Sequence, residues 1–333
     1  MKLLKFQNFI KEFKSEKKDQ GSVVTIGNFD GCHLGHKKLL VATKSEAQRK
    51  GLKSIVLTFA PHPKQFFSPS SENQNIFTLE QKIKSFQELK LDLAIIQNFD
   101  QDFSRITHTE FYDKGLKEKL NAKTLILGKN FFFGAQKQGT IKWLEAQAQR
   151  NRVKLQAEPL QKKNEIEINS TQIKSFLRQG KVEQANQLLG HSFSIMGRIS
   201  EGQKIGRTIG YPTANFTEIK QILPKKGVYC GYLKVLEEGS CLPEILSLPK
   251  EANLAVMNIG ERPTIEGSQQ KRLSVEAHII GKTYHHSELY QKTCIFYFKS
   301  FLRDENKFVS LAALKKQIAK DIEQSIALSS LGA

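Results

Sequence analysis

The sequence predicts an α/β domain built on a parallel sheet, followed by a small antiparallel β-barrel with a C-terminal helix. Three observations predict it. Short apolar runs rich in β-branched residues alternate with helical patterns up to about residue 189. From Phe193 onward, five or more short strands punctuated by Gly and Pro take over. A last amphipathic stretch, Ser310 to about Ile322, places Leu311, Leu314, Ile318 and Ile322 on one side. A chain of 333 residues accommodates two domains, and the change of character divides them into residues 1–189 and 190–333.

The formal net charge is +18, which favours polyanionic partners such as nucleotides, nucleic acid or an acidic membrane surface. The lysines are scattered rather than blocked, and no nucleic-acid module motif is present, so nucleic acid is not expected as a partner. Cysteines at 32, 230, 241 and 294 form no C-x-x-C pair. That excludes a zinc ribbon or a dithiol motif and fits a reducing cytosol. The opening MKLLKFQNFIKEFKSEKK lacks the apolar core and cleavage site of a signal peptide and reads as a first strand and loop. No apolar run approaches the roughly 18 residues that span a bilayer, so no membrane is expected.

The first domain is organised around VVTIGNFDGCHLGHKKLL, residues 23–40. Val23, Val24 and Ile26 make a buried strand. A tight stretch with Gly27, Asp30, Gly31 and Gly35 follows, and His36 to about Lys50 reads as a helix. A strand, a Gly-rich turn and a helix N-terminus make a phosphate site, because free N–H groups and the positive end of the dipole face the anion. His33 and His36 stand at that helix start, where imidazoles can donate to phosphate oxygens as charge develops. Taken alone, His-x-Gly-His is equally a loop with two surface histidines.

Lys53–Phe59 is a second strand running into Pro61, His62 and Pro63, at the carboxyl edge where α/β sheets bind ligands. Thr78 caps a helix to about Leu89. Leu93–Ile96 is a third strand, residues 109–120 a helix, and Leu125–Leu127 a fourth strand. The segment after it, Gly128 to Gly139, carries Phe131, Phe132 and Phe133, which are either core or the flanks of a planar ligand. Val153–Gln156 is a fifth strand. Ser170 and Thr171 start a helix that Gly180 ends, and Val182–Leu189 closes the domain.

Three stretches carry the chemistry of the second domain. In GRTIGYPTANF, Gly206 and Gly210 bound a loop leading to Thr213 and Asn215, oxygen donors suited to magnesium. In SVEAHII, strand alternation puts Ser274, Glu276 and His278 on the face opposite Val275 and Ala277. FLRDENKF, with Arg303, Glu305 and Phe308, reads by itself as a charged turn. Residues 237–251 look like an extended inter-strand loop.

GNFDGCHLGH resembles the nucleotidyltransferase signature, and the chain from about residue 21 to its last helix resembles bacterial bifunctional riboflavin kinase/FAD synthetase. The supporting motifs stand in the family's order. Gly128 to Gly134 resembles Gly, then Asp or Asn, then Phe-x-Phe-Gly. INSTQIK resembles I-S-S-T-x-x-R, with Asn169 and Lys174 departing from it. GRTIGYPTAN matches the riboflavin kinase signature, LPKKGVY resembles Pro-x-x-Gly-Val-Tyr, and GERPT resembles Gly-x-Arg-Pro-Thr. Gln291 and the longer 237–251 loop also depart.

The resemblance implies a Rossmann-like nucleotidyltransferase domain, residues 1–189, that adenylylates FMN. It also implies a barrel domain, residues 190–333, that phosphorylates riboflavin. It makes Gly27, Asn28, Phe29, Asp30, Gly35, Asn130, Ser170, Thr171, Lys174 and Gly206 nucleotide-binding, with His33 and His36 catalytic. Glu276 becomes the general base of the kinase, and Thr213 and Asn215 the ligands of magnesium and phosphate. His62, Pro63, Arg303, Glu305 and Phe308 become flavin-binding. The implied substrates are ATP, riboflavin and FMN with Mg2+, in a cytoplasmic monomer or weak homo-oligomer.

Overall fold

The computed structural model describes residues 1–14, 20–68, 75–201, 208–237, 239, 241–263, 271–282, 284 and 286–330. The expectations for Gly206, Thr264 and positions 238 and 240 of the long loop lie outside these residues. The chain forms two compact units, Met1–Glu72 with Leu79–Asn169, and Asn73–Thr78 with Ser170–Ala333.

The first unit is a parallel sheet of β1 (Lys2–Phe6), β2 (Ser22–Ile26), β3 (Lys53–Ala60), β4 (Leu93–Asn98), β5 (Ala122–Gly128) and β6 (Lys154–Glu158). Their order is β1-β4-β3-β2-β5-β6. All five residues of β2 are buried, as expected where helices cover both faces of a parallel sheet. Alternation sorts its side chains. Val24 and Ile26 join Leu57, Ile95, Leu125 and Leu127 in the larger core, while Val23 packs with Ala47 and Ile126 on the other face. The helix Leu34–Lys50 follows β2 and ends on Gly51, whose φ of 65° is the left-handed cap. The chain proceeds outward from β2 in one direction through β3 and in the other through β5. The crevice at the carboxyl ends of β2 and β5 is therefore the topological switch point, where such sheets bind ligands.

The second unit contains the helices Ser170–Arg178 and Val182–Leu189 and a closed barrel. Its strands are β9 (Ser194–Ser200), β10 (Ala214–Thr217), β11 (Gly227–Leu236), β12 (Asn253–Pro263), β13 (Lys271–Ile279) and β14 (Thr293–Arg303); β7 (Lys162–Lys163) and β8 (Ile166–Glu167) form a small hairpin before them. Neighbours in the ring β10-β13-β12-β11-β14-β9 are all antiparallel. Residues of β12 and β13 alternate strictly: Ala255, Met257 and Ile259, and Val275, Ala277 and Ile279, are buried. Their neighbours Asn258, Ser274, Glu276 and His278 look out from the other face. The segment 75–78 belongs to this unit, held by Ile222 N–H donating to Asn75 O at 2.9 Å and by Gln221 Nε2 donating to Ile76 O at 3.1 Å.

Several elements differ from expectation. The helix expected at 109–120 is a short α-turn, His108–Glu110, followed by a π-helix, Phe111–Lys119. Widening turns Phe111, Tyr112 and Leu116 together into the core, and Gly115 leaves room for Phe9 and Ile10. The helix Ile141–Arg150, capped by Thr140 accepting from Trp143 N–H, was not expected. Strand β10, only four residues long, was not expected individually, though six barrel strands fit the expected five or more. The last helix runs from Leu311 to Ser330, beyond the expected Ile322.

Candidate functional site

After β2 the backbone turns through Phe29 at φ 50° and Gly31 at φ 76°. The turn buries the Phe29 ring edge-on against His36 and Phe86, at 5.3 and 5.6 Å between centroids. Phe29 and Asp30 thus shape the turn from inside, with Asp30 also buried. His33 caps the helix Leu34–Lys50, its Nδ1 accepting from His36 N–H at 3.2 Å. Its ring stacks on that of His36, with centroids 3.5 Å apart and planes inclined by 17°. Gly35 permits this, because a Cβ there would press on the His33 ring at 3.3 Å. Burial first, then the neighbouring His33 and Lys82, hold His36 well below the ordinary histidine range. It therefore stays neutral at physiological pH, and its buried Nδ1 has no protein partner among the described residues. Packed on this loop is the helix Leu79–Glu88, whose Ser85 side chain hydrogen-bonds the buried Cys32 thiol, itself pushed up to about 12 by burial.

Beside this loop is a cavity of about 730 Å³ at the switch point. Gly27 and Asn28 after β2, His62 and Pro63 after β3, and Asn130 after β5 all line it. Asn28 Oδ1 is buried without a partner among the described residues, the mark of a polar group awaiting a ligand or water. His62 caps a short helix, Nδ1 accepting from Lys64 N–H at 3.1 Å. Phe131, Phe132 and Phe133 all line the cavity: Phe133 is core as well, and Phe132 is exposed. His33, His36, Phe29, Asp30 and Gly35 form the adjoining turn rather than the cavity wall. Phe59, Phe99 and Phe103, which sequence reasoning did not single out, complete the apolar wall. Ser170, Thr171 and Lys174 begin the helix Ser170–Arg178, which belongs to the second unit.

In the second unit a cavity of about 510 Å³ lies between the outer face of the barrel and the last helix. Thr213, Glu276, Arg303, Glu305 and Phe308 all line it. The Thr213 hydroxyl donates to one Glu276 oxygen at 3.2 Å and the Ser274 hydroxyl to the other at 2.5 Å. Asn215 stands opposite Glu276 in the β10–β13 register but does not line the cavity. Arg303 stacks over Phe308 at 5.7 Å. Glu305 rests on Gly260, where any Cβ would collide with its carboxylate. His278 Nδ1 lies 2.9 Å from Pro212 O, fixing the segment that carries Thr213. No group of three or more His, Cys, Asp and Glu that can hold a metal is found among the described residues. Magnesium does not require one: it keeps waters and takes one or two protein oxygens with substrate phosphates. The hydroxyl of Thr213 beside the Glu276 carboxylate, with Asn215 opposite, is such a donor set.

The comparisons agree with this division. Residues 15–172 match the FAD synthetase family model and residues 189–329 the riboflavin kinase model. A bifunctional riboflavin kinase/FMN adenylyltransferase from Buchnera aphidicola subsp. Schizaphis graminum is 36% identical, covering 97% of each chain. The Escherichia coli K12 protein of that name is 32% identical over 92% of each. Among solved structures, a Streptococcus pneumoniae chain named as a macrolide-efflux protein has a TM-score of 0.82 at 25% identity, covering 98% of this chain and 99% of its own. No helix among the described residues here is long and apolar enough to cross a membrane. With both family models matched in order and a relative aligned along nearly the whole chain, this protein belongs to the bifunctional riboflavin kinase/FMN adenylyltransferase family.

Proposed function

We propose that each of the two reactions, riboflavin to FMN and FMN to FAD, is carried by its own cavity and by the residues assigned as follows. In the barrel cavity Glu276 takes the proton from the 5′-hydroxyl of riboflavin as that oxygen attacks the γ-phosphorus of ATP and ADP leaves. The hydroxyls of Thr213 and Ser274 fix both oxygens of the base. Arg303, Glu305 and Phe308 wall the flavin. Thr213 and Asn215 would hold magnesium, which supplies charge neutralisation on the ATP phosphates.

In the first half, a phosphate oxygen of FMN attacks the α-phosphorus of ATP, and the bond to the departing pyrophosphate breaks. The nucleophile is already anionic, so no general base is needed. The turn Gly27–Gly35, with His33 and His36 as donors, stabilises charge on the phosphates. Asn130 is assigned to the ATP, Ser170, Thr171 and Lys174 to nucleotide phosphate, and His62 and Pro63 to the flavin. The functional division is proposed at 189/190, which the riboflavin kinase match over residues 189–329 supports, although the compact units divide twenty residues earlier, at Asn169/Ser170.

Each cavity is lined by residues of one unit, which supports a monomer or weak homo-oligomer; light scattering of the purified protein checks this. Free Cys32, Cys230, Cys241 and Cys294 support a reducing cytoplasm. The observation that carries the kinase assignment is the pair of hydroxyls clamping Glu276 at the mouth of its cavity. Its test is Glu276→Gln: quenching of riboflavin fluorescence should persist while turnover disappears. Turnover near the wild-type rate would contradict the assignment.

A further inference from the structure

Asp321 is the one carboxylate on the last helix that turns inward. It is 3% exposed, whereas Lys320 beside it is exposed. Arg303 Nε donates to its Oδ1 at 3.0 Å and Nη2 to its Oδ2 at 2.8 Å, a two-point contact that fixes the guanidinium plane. Gln317, one turn earlier, donates to Oδ1 at 2.9 Å. Arg303 in turn donates through Nη1 to Asp304 O at 3.1 Å and lies over the Phe308 ring. Asp321 thus holds one end of the segment 303–308, whose side chains form a wall of the cavity, and Leu314 and Ile318 from the same helix line that cavity too.

We propose that Asp321 is a positioning residue for riboflavin: through Arg303 it sets the segment 303–308, and so makes the last helix a determinant of flavin binding. The proposal rests on the barrel cavity being the riboflavin site. A buried pair of this kind contributes little to net stability compared with an apolar pair, yet fixes geometry. A flavin-binding wall requires that fixity, since the planar ligand has to meet a wall of set position.

The test uses the full-length chain with Asp321→Asn, Arg303→Lys and the double variant, each assayed for both reactions below its melting temperature. Lysine keeps the charge and loses the planar fork. Asp321→Asn should raise the KM for riboflavin roughly ten-fold, the scale of one charge-assisted hydrogen bond. The KM for ATP and FMN adenylylation should stay within about two-fold, since neither draws on that bond. The double variant should cost no more than the larger single change, because both act through one contact. An unchanged riboflavin KM, parallel losses in both reactions, or additive effects would each overturn the proposal. Glu276→Gln, run alongside, separates its failure from that of the site assignment. A kinase indifferent to Glu276 means that the cavity is wrong, whereas a kinase that needs Glu276 but ignores Asp321 means that only the positioning role is.

Discussion

The two cavities differ most in their charges. Among the described residues lining the cavity of the first unit there is no carboxylate, while Lys64 and Lys137 stand at its wall. The barrel cavity is lined by Glu261, Glu276, Glu305 and Asp321 against Arg303. The nucleophiles of the two reactions explain the contrast. FMN brings a phosphate that already carries negative charge, and a carboxylate on the cavity wall would repel both it and ATP. Riboflavin brings a neutral hydroxyl, which a positioned carboxylate can deprotonate during attack. The proposed first site therefore needs only donors and helix-end dipoles, which two imidazoles and a glycine-rich turn can supply. The second needs a base, the role proposed for Glu276, whose oxygens accept from Ser274 on the same strand and from Thr213 just before β10.

The largest expected effect breaks the contrast from the barrel side. Glu276→Ala should lower FMN formation by roughly 10²–10⁴-fold, the usual contribution of a general base, and leave FAD formation from supplied FMN unchanged. Timed assays of each half reaction check it. On the other side, His33→Ala should slow adenylyl transfer by about 10²-fold, as for loss of one preorganised donor, and spare the kinase. It also removes the cap on His36 N–H, so a fall in thermal stability should accompany it, of about 1 kcal/mol.

A pH series sharpens the role of His36. Its folded-state pKa lies well below the ordinary 6.5, so the unfolded chain binds the extra proton first. The stability it contributes is full above pH 6.5 and is lost as pH falls from there toward the folded value. Melting temperatures taken from about pH 7.5 down to about pH 5.5 should decline, and less steeply in His36→Gln. Equal slopes would show that His36 is not held neutral. The smallest effect concerns Lys174, where the family motif has Arg. Lys174→Arg should lower the KM for ATP in FAD formation by about two- to five-fold, by restoring the planar fork. No change would mean that this position does not limit nucleotide binding.

Much of this was legible in the sequence because the strongest local signals coincide with the site. β2, the turn after it and the helix Leu34–Lys50 announce themselves by a β-branched run, three glycines and helical spacing. The alternation in SVEAHII placed Glu276 on the correct face of β13 before any contact was known. Other features carry weak local signals. The helix Ile141–Arg150 is short, only ten residues, and follows an aromatic loop. Strand β10 is only four residues long, and the barrel partners on either side stabilise it rather than its own propensity. The π-helix at Phe111–Lys119 shares the apolar spacing of an α-helix, and tertiary packing of Gly115 against Phe9 and Ile10 distinguishes it. Asp321 was illegible because an acid in a helix ordinarily faces water. Only its spacing from Leu314 and Ile318, by seven and three positions, hinted that it shares their face.

We propose that the two reactions occupy independent sites. The most direct measurement incubates the wild-type protein, Glu276→Ala and His33→Ala with ATP and magnesium, once with riboflavin and once with FMN, and separates the flavins by chromatography. The account predicts reciprocal losses. Glu276→Ala yields no FMN from riboflavin yet makes FAD from FMN at the wild-type rate, and His33→Ala accumulates FMN from riboflavin without FAD. Loss of both products in either variant, with the protein folded, would contradict it.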